Sequence, residues 1–210
     1  DQPEGLFVTE MTVGKFARRH STARAFLHPA MTRPNLTVVS NALTARVVVE
    51  NGRATGVDYV KNGAAVRAHA AREVVLSAGA YNSPQLLMLS GIGPADELKA
   101  HGIAPLVDLP GVGKHLEEQA SVPVIPAATR PTFLSELRVD RAAWWTLRWV
   151  LAGDGPFACN GNTAGIFARS RPGLERPDIQ LTCNTIGLFD RPWLPGQARG
   201  RNYAFNCIVA

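Results

Sequence analysis

The residues best placed to do chemistry are small ones. Ser77-Ala78-Gly79-Ala80 follows the short apolar run Val74-Val75-Leu76 and precedes Ser83-Pro84. A run that brief and β-branched predicts a buried strand, entering the main sheet over Arg72 to Ser77. Ser83 predicts an N-cap with Pro84 at the first helical position. Leu86, Leu87, Met88 and Leu89 fill the helix, and Ser90-Gly91-Ile92-Gly93-Pro94 stops it and starts another. A strand, a small-residue turn and a capped helix let an anionic ligand reach backbone amides near the positive end of a helix. The same pattern also serves a tight turn that only packs against its neighbour, and these residues alone leave both readings open.

Other reactive residues offer less. His20, His28, His69, His101 and His115 are scattered, and none pairs with a second group at a spacing that would make a proton relay. Cys159, Cys183 and Cys207 form no CxxC or Cys/His cluster, so neither a metal site nor a disulfide framework is expected. Cys183 and Cys207 fall at alternating apolar positions of strands, where a thiol acts as a small hydrophobe. A reducing compartment, the cytoplasm, is the expectation. The GxG triplets at Gly91-Gly93, Gly111-Gly113 and Gly153-Gly155 do not continue to a third glycine, nor do they open a long helix, so each reads as a turn.

Stepping along the elements, Ser21 caps a helix from Thr22 to about His28, with Pro29 just beyond it, and Leu36 to Val39 reads as a strand. Ala42 to Glu50, Arg53 to Lys61 and Ala64 to Ala70 are joined by Asn51-Gly52 and Asn62-Gly63. These two hairpin turns tolerate positive φ at both central positions, so they predict a three-stranded antiparallel meander with Gly56 as its weak point. Pro94 to His101 is a short helix stopped by Gly102, and Ile103 to Leu109 is extended. The loop LPGVGKHLEEQ follows. Prolines at 123, 126 and 131 suggest a domain crossing. Arg141 to Ala152 is a helix apolar nearly all round, with Trp144, Trp145 and Trp149 expected in a core. Ala164 to Arg169, Asp178 to Ile186 and Tyr203 to Ala210 are strands, the last with an exposed edge.

Composition sets the bounds. At 210 residues, 46% hydrophobic and 19% charged, the chain is a globular protein with a core and room for one large or two small domains. No apolar run reaches the length of a membrane span, and the first residues do not look like a signal peptide. The net charge of +5 comes mostly from dispersed arginines rather than a basic, aromatic-interleaved patch, which argues against nucleic-acid binding.

The string GAYNSPQLLMLSGIGP resembles the second signature of the glucose–methanol–choline oxidoreductases, FAD-dependent flavoproteins that oxidise alcohols. RRHSTARAFLHPAMTRPNLTVV is similar to the family's arginine-rich helix followed by RPNL and a strand. The order WW, LAGDGPF, AGIFARS resembles the choline dehydrogenase branch. The resemblance implies a mixed α/β (α+β) fold: part of a two-dinucleotide-fold FAD-binding domain with its β-meander over 1–120, and part of an antiparallel-sheet substrate domain over 121–210. It implies FAD as cofactor, with Leu43 using backbone groups on the adenine edge and Ser77, Ala78 and Gly79 close to the ribose and pyrophosphate. In the loop after Val112 and Gly113 the family pattern departs at His115, Glu117, Glu118 and Gln119, so a solvated loop is expected there.

The family's first FAD fingerprint and its histidine catalytic pair have no counterpart here, so no catalytic residue is assigned. The expectation is an internal piece of a longer enzyme that alone binds FAD weakly or not at all and does not turn over. Aligning AGIFARS with the choline branch puts Thr163 where that branch has a glutamate facing the trimethylammonium group. Threonine carries no charge to hold a cation, which points to a neutral alcohol as the small-molecule substrate. Two other functions fit the resemblance: a flavin-containing hydroxynitrile lyase, and a non-catalytic binding domain derived from a flavoprotein. A piece with bare strand edges is expected to self-associate.

Overall fold

The computed structural model describes residues 4–124, 136, 139–184 and 204–209. In chain order the strands are β1 (Gly5–Val8), β2 (Leu43–Glu50), β3 (Arg53–Lys61), β4 (Ala64–His69), β5 (Ile92–Gly93), β6 (Val107–Asp108), β7 (Ala120–Val124), β8 (Asn162–Ala168), β9 (Ile179–Asn184) and β10 (Ala204–Val209). The helices are α1 (His28–Ala30), α2 (Gly79–Leu89), α3 (Ala95–Ala100) and α4 (Val139–Ala152). The chain divides into two compact units. One comprises residues 33–118; the other joins residues 1–32 to 119–210.

The unit over 33–118 is built on the meander. β2, β3 and β4 pair antiparallel in that order, as the two Asn-Gly turns require. Asn51 and Asn62 both sit at φ +51°, followed by Gly52 at +73° and Gly63 at +78°, the double left-handed geometry of a two-residue hairpin. Asp58 on β3 accepts from Arg46 on β2 at 2.8 Å and from Arg67 on β4 at 2.6 Å, a clasp across all three strands. Gly56 is where β4 comes closest: a Cβ there would stand 2.3 Å from the Ala68 carbonyl oxygen. The position expected to be a weak point is thus a requirement of the ladder.

Helix α2 begins at Gly79, four residues before the predicted cap, and Pro84 lies inside it. Ser83 is thus not the N-cap, which is Ala78; from within the helix its Oγ accepts the Ala78 amide at 3.0 Å. The segment over 72–77 forms no strand and joins no ladder among the described residues, and Val75 is 76% exposed. The same holds for Leu36 to Val39. Both have strand sequences, yet a strand exists only with a neighbour to bond, and the described residues supply none. After α2, Gly91 turns at φ +82° and its carbonyl accepts the amides of Leu106 (2.7 Å) and Val107 (3.2 Å), which sets β5 parallel to β6. A Cβ on Gly91 would meet the Ala104 carbonyl at 2.7 Å, so the first GxG serves backbone approach. α3 supplies Leu98, 2% exposed and the most deeply buried side chain described.

The other unit holds an antiparallel sheet of order β1-β8-β9-β10-β7. Three of its strands match those predicted, but β10 lies between β9 and β7, so the edge expected to be bare is covered. Residues 120–124, read as a crossing, form the edge strand β7. Pro123 is tolerated there because an edge strand can lack an amide donor on its open side. Phe7 stacks on Phe167 with centroids 4.7 Å apart, and their packing leaves no room for a side chain at Gly165.

The amino-terminal helix runs on past its predicted end: a π turn over Ala23–Leu27 leads into α1, and Pro29 lies within it. In α4 no residue is buried and Trp144 is 56% exposed, so the tryptophans do not form the predicted core. Instead they make polar and cationic contacts. Trp149 Nε1 donates to the Ala17 carbonyl at 3.3 Å, Trp145 Nε1 donates to Glu136 at 2.7 Å, and Arg148 lies over the Trp145 ring at 5.5 Å. The predicted strand residues Thr185 and Ile186, and the prolines at 126 and 131, lie outside the described residues.

Candidate functional site

In the unit over 33–118 the meander and α2 enclose a cleft of about 670 Å³. One wall is the start of β2 (Leu43, Thr44) with Gly56 and Val57 of β3 and the end of β4. The other is the segment from Glu73 to Ala78 and one face of α2. That face is Asn82, Gln85, Leu86 and Leu89, an i, i+3, i+4, i+7 set that helical geometry brings to one side. Arg53 fixes the start of this segment, donating to the carbonyls of Ala71 and Arg72 at 3.1 Å each.

Three of the four residues expected to touch a cofactor, Leu43, Ser77 and Ala78, line this one cleft although more than thirty positions separate the first from the others. Gly79 follows at the head of α2 with φ +91°, and a Cβ placed there would meet nothing within 4 Å. The backbone at this bend is therefore open to a ligand, and only glycine adopts its geometry without strain. The first amides of α2 have no partner inside the helix and carry its positive end. Ala78 differs: its amide is already taken by Ser83, and as the N-cap its carbonyl accepts the first bond of α2, so it offers a ligand little beyond its methyl.

The size lies within the range of cofactor pockets, and the lining is mixed, with Leu and Val walls beside Thr44, Ser77, Asn82 and Gln85. Apolar walls suit a purine base, and the polar groups with the free amides of α2 suit a ribose and a diphosphate. The residues present fit the adenosine half of FAD. Asn82 and Gln85 were not singled out from the sequence. Starting the helix at Ser83 left Asn82 outside it, and with the start at Gly79 their three-residue spacing places both on the cleft face.

Thr163 lies elsewhere, on β8 in the other unit. The register shifts between Asn162 and Ala164 against β9, so Thr163 is the extra residue of a bulge. Bulges re-aim the residues beside them. Next to it, Thr9 donates to Asn162 Oδ1 at 3.2 Å. His115 is an exposed loop residue at φ +56°, as the departures from the family pattern led us to expect. Among the described residues no His, Cys, Asp and Glu cluster could hold a metal, and the Cys159 thiol donates to the Pro156 carbonyl at 3.2 Å.

The family model for GMC oxidoreductases matches residues 1–121. The chain belongs to the GMC oxidoreductase family. It is 44% identical over 197 residues to the mitochondrial choline dehydrogenase of Homo sapiens, covering 93% of this chain and 33% of that protein. It is 43% identical over 213 residues to the oxygen-dependent choline dehydrogenase of Rhizobium etli, covering 98% of this chain and 37% of that one. The chain thus spans about a third of the length of the curated relatives it matches. Its fold matches the formate oxidase of Aspergillus oryzae with a TM-score of 0.84 at 24% identity, over 98% of this chain and 40% of that one. A fungal aryl-alcohol oxidase matches with a TM-score of 0.71 at 26% identity, over 79% of this chain and 29% of that one.

Proposed function

We propose that the chain is part of an FAD-dependent oxidoreductase acting on the CH–OH group of a small alcohol, and that its cleft between the meander and α2 receives the adenosine half of FAD. The observation that carries this reading is the convergence of Leu43, Ser77 and Ala78 on one cleft beside the open bend at Gly79. Leu43 offers backbone groups to the adenine edge. Ser77, Ala78 and Gly79 lie along the ribose and diphosphate, where the positive end of α2 offsets phosphate charge. FAD, when bound, supplies the acceptor for hydride leaving the alcohol carbon. No residue of this chain is assigned to the proton that leaves the hydroxyl. In this reading residues 33–118 belong to the FAD-binding domain, and residues 1–32, which share a unit with 119–210, go with the substrate domain.

Its likeness to choline dehydrogenases makes choline the first substrate to test, and Thr163 argues for a neutral alcohol instead. A cation pocket gains from a carboxylate at that position, and threonine has none. Steady-state assays of the full-length protein with choline, aliphatic alcohols and aromatic alcohols decide the matter. Preference for a neutral alcohol is expected, and efficient choline turnover would overturn the Thr163 argument. A hydroxynitrile lyase would instead release cyanide from a cyanohydrin without reducing its flavin.

We place the protein in the cytoplasm as a proposal. Among the described residues no helix is long and apolar enough to cross a membrane. Self-association through strand edges would use β1, β7, β2 or β4, because β10 is paired on both sides. Light scattering on the purified chain reads this directly.

A further inference from the structure

Ser90 is the one buried polar residue among those described, at 6% exposure. Its hydroxyl accepts the Val47 amide at 2.8 Å and donates to the Leu86 carbonyl at 2.6 Å. The first bond answers a specific need. β2 is an outer strand of its sheet, so an amide on its open side finds no neighbouring strand, and Val47 is itself buried at 6% exposure, away from water. The second bond ties that amide to the last turn of α2.

The two bonds together join the two walls of the cleft. On one side, Leu43 and Thr44 line it just before a register shift between Thr44 and Arg46, and Val47 is the second residue past that shift. A bulged outer strand is free to twist, and the tie at Val47 holds it immediately beyond the bulge. On the other side, Leu86 and Leu89 line the cleft from α2, and the Ser90 hydroxyl is bonded to the first of them.

We infer that Ser90 is a positioning residue for the nucleotide: through Val47 and Leu86 it sets the separation of the β2 and α2 walls between which the adenosine half lies. This role rests on the cofactor reading above. It also gives a purpose to the serine of the SGIG turn beyond ending a helix. A hydroxyl that only satisfied a buried donor would affect stability alone; one that sets the cleft must affect ligand affinity beyond its effect on stability.

The test uses the full-length protein, freed of flavin and nitrogen-labelled, with ADP as the probe. ADP is expected to shift the amide resonances of Leu43, Ser77 and Gly79. Ser90→Ala is expected to raise the exchange rate of the Val47 amide and to weaken ADP binding by about tenfold each, the size expected for one buried donor left unpaired. Ser90→Thr keeps the hydroxyl and restores both. Leu98→Ala, in α3 and outside the cleft lining, is the control: it lowers Tm and leaves ADP affinity unchanged. ADP affinity in Ser90→Ala equal to wild type, with only Tm reduced, overturns the positioning role while leaving the cofactor reading intact. A full-length wild-type protein that takes up neither FAD nor ADP overturns the cofactor reading, and the Ser90 role falls with it. Should Ser90→Ala not fold, Ser90→Cys replaces it, since a thiol keeps the shape with a weaker bond; ADP affinity unchanged in that variant is the overturning result.

Discussion

At the scale of single residues, glycines and one leucine carry the clearest consequences. Gly56 is not a flexible joint but a clearance: a methyl there would press on the Ala68 carbonyl, which is backbone and cannot swing aside. Gly56→Ala is expected to destabilise the meander by about 3 kcal/mol or more, within the upper range of overpacking costs, read as a lowered urea midpoint. Leu98 is the deepest apolar side chain described, and Leu98→Ala is expected to cost about 3 kcal/mol on the same measurement. A cost well under 1 kcal/mol would mean that α3 is not anchored where it is placed. Gly79 behaves differently. Nothing crowds it, so Gly79→Ala carries only the penalty of a left-handed φ, and its larger effect is expected on ligand affinity.

At the scale of elements, the meander is held by a clasp that responds to acid. The Arg67 guanidinium, and after it that of Arg46, bonds the Asp58 carboxylate and holds it well below the usual carboxylate range. A depressed carboxylate contributes stability that is complete above its unfolded value, about 4, and is lost as pH falls toward the folded value. The Arg169 amide and guanidinium lower Glu4 in the same way, and Ser170 lowers Asp178. Protection factors along β3 and β4, which divide out the intrinsic pH dependence of exchange, should therefore fall on acidification below about pH 4 and stay flat between neutrality and that point. In Asp58→Asn this acid dependence should be largely absent.

The meander is also the element most legible in the sequence, because each Asn-Gly pair fixes its own turn locally. The head of α2 was less so. Ser83-Pro84 is a good local start signal, yet Ser83 acts from inside the helix, and only the tertiary course of residues 72–78 determines where the helix begins. Val74 to Leu76 and Leu36 to Val39 have strand composition, but pairing depends on neighbours that composition does not name. The tryptophans of α4 were read as core from their apolarity, whereas the indole N–H groups of Trp145 and Trp149 bond at partly exposed positions. Of the cleft, the bend and Leu43 were legible through the family signature; Asn82 and Gln85 needed the correct helix start.

At the scale of the whole molecule, much apolar surface faces solvent. Leu6, Val8, Val75, Trp144, Val139 and Leu151 are all more than half exposed. Surface of this kind favours association or dye binding. The isolated chain is expected to bind a hydrophobic dye at neutral pH and to show solvent-exposed tryptophan emission, and a dark dye with blue-shifted emission would contradict the exposure of α4. The two sheets also differ in how far apart along the chain their strands lie. Each hairpin of the meander closes over two residues. In the other sheet, β1 must pair with β8, and the Thr9–Asn162 contact beside them joins residues 153 positions apart. Closing so long a loop is slow compared with closing a hairpin. On the ribosome, residues 5–8 must therefore wait through the synthesis of the entire neighbouring unit before they meet their partner. Until then the Leu-Phe-Val strand carries unpaired amides and carbonyls and Phe7 lacks the Phe167 ring, and a chaperone has its longest opportunity to bind the nascent protein there.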